Sequence, residues 1–199
     1  FERDANLQPF TFGEIMRLTK NASGGSTNKR SFTLIGDPAL QIALPKMHIV
    51  TDSINGLDPA LVMDTLSALS KVTIKGHLED FTGTPLTGFN GVLYPTVFDK
   101  IKTQQTLAND ATSPIISFEL QNNKVYSGKA SVTNGNFEFS FVVPKDINYS
   151  IGFGKLSYYA ENGSTDAIGS DTRVYIGGID PNGIVDVVGP EVELFLNDD

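Results

Sequence analysis

Polar and apolar positions change their period along the chain. Near the N-terminus, Phe12, Ile15, Met16 and Thr19 recur at three- and four-residue spacing with Leu18 beside them, which predicts a short helix over 12–20. Thr11-Phe-Gly-Glu14 has the form of a capping box, Lys20 suits the last turn, and Asn21 suits a left-handed cap. A Gly/Ser-rich loop occupies 22–28. Ser31-Phe-Thr-Leu-Ile35 reads as a buried strand stopped by Gly36-Asp37-Pro38, and Met47-His-Ile-Val50 as a second extended run after Pro45. Residues 1–50 thus form a short αβ unit. Such a unit cannot bury its faces alone, so it is expected to end a larger α/β domain or to dock on the β region C-terminal to it. Residues 51–70 read as a linker containing one or two helical turns, with Leu61, Met63, Leu66 and Leu69 on an apolar side.

From Lys71 the period is two. Val72, Ile74, Gly76 and Leu78 face one way, and Thr73, Lys75, His77 and Glu79 the other. Asp80–Pro85 is a turn. Asn90–Asp99 is a second strand in which Pro95, lacking a ladder donor, points to an edge or a bulge. Ile116, Phe118 and Leu120 alternate in a third strand, and Tyr126, Gly128, Ala130 and Val132 in a fourth. Asn134-Gly135 between alternating runs predicts a two-residue hairpin. Its outgoing strand turns Phe137, Phe139, Phe141 and Val143 inward. Leu156, Tyr158 and Ala160, then Val174 and Ile176, continue the pattern. The chain is therefore expected to be mainly β, with an antiparallel β-sandwich of immunoglobulin or prealbumin type over 71–178. Residues 179–199 read as a linker and the start of a next β module. The 13 Phe residues are expected to fill the core.

Composition narrows the chemistry. The 199 residues contain no Cys, which removes a thiol nucleophile, a thiolate metal site and disulfides. No run of 18 apolar residues exists to span a membrane. The net charge of −8 lies at one end: residues 1–160 carry 14 basic and 14 acidic side chains, whereas 161–199 carry nine acids against Arg173 alone. No basic patch is present, and nucleic-acid binding needs one. The acidic end reads as a solvated face. Asp180-Pro-Asn182-Gly183 with Asp186 also offers hard oxygen ligands for calcium near a turn, without the full loop pattern. The only His residues are His48 and His77, and neither lies near a nucleophile elbow or a phosphate loop. His77, on the polar face of a regular strand, reads as a surface histidine, as does His48. No catalytic, cofactor-binding or metal-binding residue is assigned, and the chain by itself does not read as an enzyme.

The stretch Asn28-Lys-Arg-Ser-Phe-Thr-Leu-Ile-Gly-Asp-Pro-Ala-Leu40, with Ala43-Leu-Pro45 shortly after it, resembles the end of the gingipain-type cysteine peptidase domain. There a similar segment closes the α/β core behind a helix like Gly13–Lys20. Asp64–His77, Phe89–Lys100, Val143–Asp146 and Gly154–Ala160 are similar to the region C-terminal to that domain in the sortases of the type IX secretion system, surface peptidases of Bacteroidetes. The resemblance implies a piece of a longer cell-surface protein at the outer membrane, lying after the catalytic residues. The intact parent would remove C-terminal sorting domains from exported cargo through a Cys–His pair and a thioester. With no Cys here, no catalytic role carries over to any residue. The implied role is structural, as an Ig-like module on the peptidase core, with the parent domain, secretion-system subunits and cargo as partners. The alternative reading is a cell-surface adhesion or carbohydrate-binding β-sandwich that uses Tyr residues.

Overall fold

The computed structural model describes residues 9–25, 27, 31–43 and 45–183. It divides into two compact units, Phe1–Pro45 and Lys46–Asp199. In the first, helix α1 spans Phe12–Ala22. Thr11 is its N-cap, the side chain accepting from the Glu14 amide at 3.2 Å. Glu14 does not complete a capping box, because its carboxylate accepts from Arg17 (Nε–Oε2 2.8 Å). Asn21 lies within the helix; Ser23 is the C-cap and Gly24 supplies the positive φ of 55°.

The segment after the loop does not form the expected strand. Residues 31–35 have no ladder partner, and Ile35 is 96% exposed. A strand needs a second strand to pair its backbone, and the described residues of this unit provide none. Gly36–Leu40 instead folds back over the start of α1. The free amides of Phe12 and Gly13 donate to Leu40 O (2.8 Å) and Pro38 O (2.9 Å), which satisfies two of the orphan donors of the first turn. Glycine is required at 13, since a Cβ would stand 2.9 Å from the Pro38 side chain.

The second unit is all β. Its strands are β1 (Met47–Ile54), β2 (Thr65–Ala68), β3 (Lys71–Glu79), β4 (Gly91–Phe98), β5 (Lys102–Gln105), β6 (Ser117–Leu120), β7 (Lys124–Ser127), β8 (Ala130–Thr133), β9 (Asn136–Val142), β10 (Gly152–Phe153), β11 (Lys155–Glu161), β12 (Asp166–Asp171) and β13 (Tyr175–Ile179). Residues 51–70 hold no helix; β1 runs on through Ile54, and β2 is the next element.

Hydrogen bonding runs β11-β12-β1-β3-β9-β8-β4, and β4 pairs back onto β11. Seven strands therefore close into a barrel-like ring, where the sequence predicts a sandwich of two sheets. The β1–β12 contact is parallel and the rest of the ring is antiparallel. A second sheet, β10-β13-β2, adds Leu66, Ala68 and Ile176 to the same core.

The period-two pattern placed most ring strands correctly. Val72, Ile74 and Leu78 are fully buried, as are Leu156 and Ala160; Phe137, Phe139 and Phe141 face inward with them. Their rings stack along β9, and Tyr126 lies 4.4 Å from Phe141 between centroids. Asn134 and Gly135, at φ 49° and 76°, make the hairpin between β8 and β9.

Pro95 lies within β4, not on an edge. Its neighbours Gly91–Leu93 pair with β8 and Thr96–Phe98 with β7, so the run Tyr126–Val132 is two strands broken opposite the proline. Gly128 N donates to Pro95 O at 3.1 Å. A strand residue's amide and carbonyl point the same way, so the missing donor faces the break and no ladder bond is lost.

One apolar run of the β unit is not core. Ile116–Leu120 belongs to a separate β5–β6 hairpin and is exposed. Among the Phe residues, 89, 137, 139 and 141 are buried, whereas 12, 32, 81, 118 and 153 are exposed. No described helix is long and apolar enough to cross a membrane, which leaves β-barrel membrane proteins unaddressed. The expected linker and next β module lie, from 184 onward, outside the described residues.

Candidate functional site

Each chemically capable group is placed by the strand that carries it. His77 points outward from β3. Opposite it, β1 carries a bulge between Thr51 and Ser53, and the extra residue, Asp52, reaches His77 Nδ1 (2.8 Å to Oδ1). Glu79 Oε2 stands 3.7 Å from the other ring nitrogen. His48 lies across from Glu79 and is exposed. The two histidines thus share a face, but among the described residues no hydroxyl or amine is hydrogen-bonded to either ring. A shallow groove of ≈ 490 Å³ beside them is lined by Asp52, Ser53, Lys75, Ser131, Thr133 and Glu138, among others. His77 thus has a carboxylate beside each ring nitrogen, in a polar cluster at the strand surface.

The buried polar groups are elsewhere. Asp99, at the end of β4, has no exposure, and Lys100 Nζ donates to its Oδ1 at 2.7 Å. The same ammonium donates to Asn148 O (2.9 Å) and Ile176 O (3.1 Å). Asn123 Nδ2 donates to Asp99 Oδ2 (3.2 Å), Asp99 N to Asn123 O (2.8 Å), and Gln121 Nε2 to Asp99 O (2.8 Å). Lys100 therefore ties the ring to β13 and to the loop before β10, and Asp99 closes the base of the β5–β6 hairpin.

A second knot sits where the chain leaves β12 for β13. Arg173 grips Asp171 with two donors, Nε–Oδ1 at 2.9 Å and Nη2–Oδ2 at 2.6 Å. Thr51 Oγ1 and Tyr158 Oη lie 3.0 Å apart beside it. Burial pushes the Tyr158 phenol upward, against the Thr51 hydrogen bond and with the Asp171 charge. Burial also pushes both carboxylates up, but hydrogen bonds from Lys100 to Asp99 and from Arg173 to Asp171 outweigh it, so both lie below the ordinary range.

These shifts give a pH prediction. A carboxyl group whose folded value is lowered contributes stability that is complete above its unfolded value and is lost as pH falls through the folded one. The melting temperature should hold level from pH 7 to about pH 4 and fall below that. A melting temperature that rises on acidification below that point would contradict the assignment.

Sequence reading missed both knots. An acid at the end of a strand looks solvated. The one signal was Arg173, the lone cation among nine acids, and it is the partner of a buried carboxylate. For calcium, Asp180 turns its Oδ1 onto the Asn182 amide (2.9 Å), and Asp186 lies outside the described residues. Among the described residues no three His, Asp or Glu side chains gather to hold a metal.

The surface Tyr residues are partly committed. Tyr94 and Tyr159 are tilted at 36° with centroids 6.1 Å apart, and Lys129 Nζ covers Tyr94 at 5.3 Å. A recess of ≈ 340 Å³ lined by Tyr159, Glu161, Gly163, Ser164, Thr165 and Asp166 lies alongside.

No family model matches the chain, and no curated protein matches it. Among solved structures, a dimeric latent PorU from Porphyromonas gingivalis is similar over 92% of this chain, at 34% identity and a TM-score of 0.60. The chain spans 18% of that protein's length. Spo0M, a sporulation control protein from Bacillus subtilis, gives 12% identity, a TM-score of 0.35 and coverage of 69% of this chain and 51% of its own. A family 123 glycoside hydrolase from Clostridium perfringens gives 14%, 0.31, 67% and 27%. At those scores neither bears on fold or function.

Proposed function

We propose that this chain, a PorU-like C-terminal region, is the non-catalytic structural and presentation segment of a type IX secretion sortase. The observation that carries the reading is the 34% identity to PorU sustained over 92% of the chain. The parent would be a cysteine peptidase at the outer membrane that removes C-terminal sorting domains from cargo by way of a thioester. The chemistry of this segment agrees with a supporting role. It has no thiol, its histidines lie on an open face without a nucleophile, and its best-held polar groups serve to lock strands together. The pairing order also supports an immunoglobulin-type reading of the ring. In that reading β1-β3-β9-β8 and β4-β11-β12 are the two layers, joined through the β1–β12 and β4–β8 contacts.

The test is an exchange. The PorU of P. gingivalis with its corresponding segment replaced by this chain should still release sorting domains, and deletion of the segment should abolish release. The 199-residue chain alone should release none. Full activity of a folded deletion protein would sink the presentation role. Activity of the isolated chain that is lost on His48→Ala would sink the non-catalytic reading.

A second reading, carbohydrate binding, draws on Tyr159 beside its recess. It requires glycan-array binding that disappears in Tyr159→Ala.

A further inference from the structure

The face of Tyr94 already carries a cation: the Lys129 ammonium lies 5.3 Å from its ring centroid. Its cross-strand partner on β11, Tyr159, has the same kind of ring and no such cover. Tyr159 is 41% exposed, and among the described residues no Lys or Arg lies over it.

Two carboxylates stand at the edge of this ring. Glu161, two residues on along β11, shares its outward face, and Asp166 of β12 lies directly opposite Glu161. Tyr159 Oη donates to Asp166 Oδ2 at 3.5 Å, and Tyr94 Oη to Glu161 Oε1 at 3.4 Å. Glu161 Oε2 accepts from the Gly163 amide at 2.9 Å, so the turn fixes this carboxylate. Like charges directly opposite on paired strands are destabilising. Among the described residues neither acid forms an ion pair that would offset the repulsion. A local conflict left standing in a fold is expected at a functional position. The recess of ≈ 340 Å³ that opens between the ring and the two acids is at the small end of ligand sites.

We propose that the Tyr159 face and the Glu161–Asp166 pair bind an arginine side chain of a basic partner segment. The guanidinium stacks on Tyr159 and donates to both carboxylates. Charge selects the ligand first: two acids and the negative face of an aromatic ring attract a cation and repel an anion. Shape selects arginine over lysine. A guanidinium is planar, weakly hydrated and carries its donors in a rigid fork, whereas an ammonium is a compact, strongly hydrated point charge. The inference does not depend on the presentation role. It shares Tyr159 with the carbohydrate reading and differs from it in requiring positive charge on the ligand.

The test titrates the 199-residue chain with N-acetyl-arginine methylamide and follows backbone amide shifts by NMR. Shifts should centre on Tyr159–Ile168 and Tyr94, with a dissociation constant of about 1 mM at low salt, weakening as salt is added. The lysine counterpart should bind about threefold more weakly or worse. Asp166→Asn should weaken binding about tenfold, and Tyr159→Leu about threefold. Asp110→Asn removes the same charge from the β5–β6 connection, beyond the other end of β4, and should change nothing. Asp166→Asn should also melt no lower than wild type, because it relieves a repulsion. An arginine derivative that causes no shifts at about 10 mM overturns the proposal. So does lysine binding as tightly as arginine, binding that Asp166→Asn and Tyr159→Leu leave intact, or an Asp166→Asn protein that melts several degrees lower. A neutral disaccharide that moves these amides where the arginine derivative does not would assign the recess to sugar and likewise overturn it.

Discussion

Gly76→Val should leave the β unit unfolded, or folded in so small a fraction that no cooperative urea transition is seen by circular dichroism. Gly76 sits inside the ring on β3, between Thr51 of β1 and Phe137 of β9. A Cβ built there would overlap the Val50 carbonyl oxygen and the Phe137 ring. The ring of Phe137 thus lies where the side chain of residue 76 would be, an aromatic covering a glycine across the strands. Overpacked cores ordinarily lose about 1–3 kcal/mol because side chains can turn away. One of the two obstacles here is backbone, held in a closed ladder that cannot part at one strand without straining the next. Against a total stability of about 5–15 kcal/mol, a loss at the upper end of the mutational range suffices. Two further variants separate the obstacles. Phe137→Ala in a Gly76→Ala background removes the ring at the cost of a cavity and leaves the carbonyl, so the double variant should lose less than the sum of the two single losses. A Gly76→Val protein melting within a few degrees of wild type would show that the strands at this point are not held as described.

The features legible from residues alone were those decided locally. The β3 and β9 faces come from a period of two, and the Asn134-Gly135 hairpin from two residues able to take positive φ. Ser31–Ile35 and Ile116–Leu120 carry the same kind of apolar signal and were misread for one reason: alternation says that a strand can form, not what it pairs with. The first has no partner among the described residues of its unit, and the second pairs only with β5, away from the core. Ring closure is likewise a long-range property, set by β11 meeting both β12 and β4. The outward side of His77 was readable, but its partner Asp52 was not, since which residue of β1 comes beside His77 is set by the pairing of β1 with β3 and by the bulge at Asp52. Asp99 and Asp171 stayed hidden because burial of an acid depends on where a cation from another element arrives.

Lys100→Met should be the most damaging change among the polar residues. Its side chain is mostly buried and has three acceptors, the Asp99 carboxylate and the carbonyls of Asn148 and Ile176. Methionine keeps much of the stem's packing and removes every donor. A surface ion pair contributes little, but Asp99 has no solvent exposure, so the variant leaves a buried charge without its counter-ion. Breaking such a pair costs about 3–5 kcal/mol, which corresponds to a melting temperature roughly 10 °C lower for a chain of this size. The acid dependence distinguishes this cause from lost packing. In wild type the lowered Asp99 value makes acidification destabilising. In Lys100→Met the uncompensated carboxylate is raised above its unfolded value, so protonation relieves the variant as pH falls from that raised value to about 4, wild type loses stability below about 4, and the gap between them should narrow throughout acidification. Asp99→Asn added to Lys100→Met should recover part of the stability at pH 7, because a neutral amide keeps the Asn123 contact without requiring a cation. A gap that stays constant with pH, together with no recovery in the double variant, would mean that Lys100 acts through its carbonyl contacts and its methylenes, and that the charge of Asp99 is balanced by other groups.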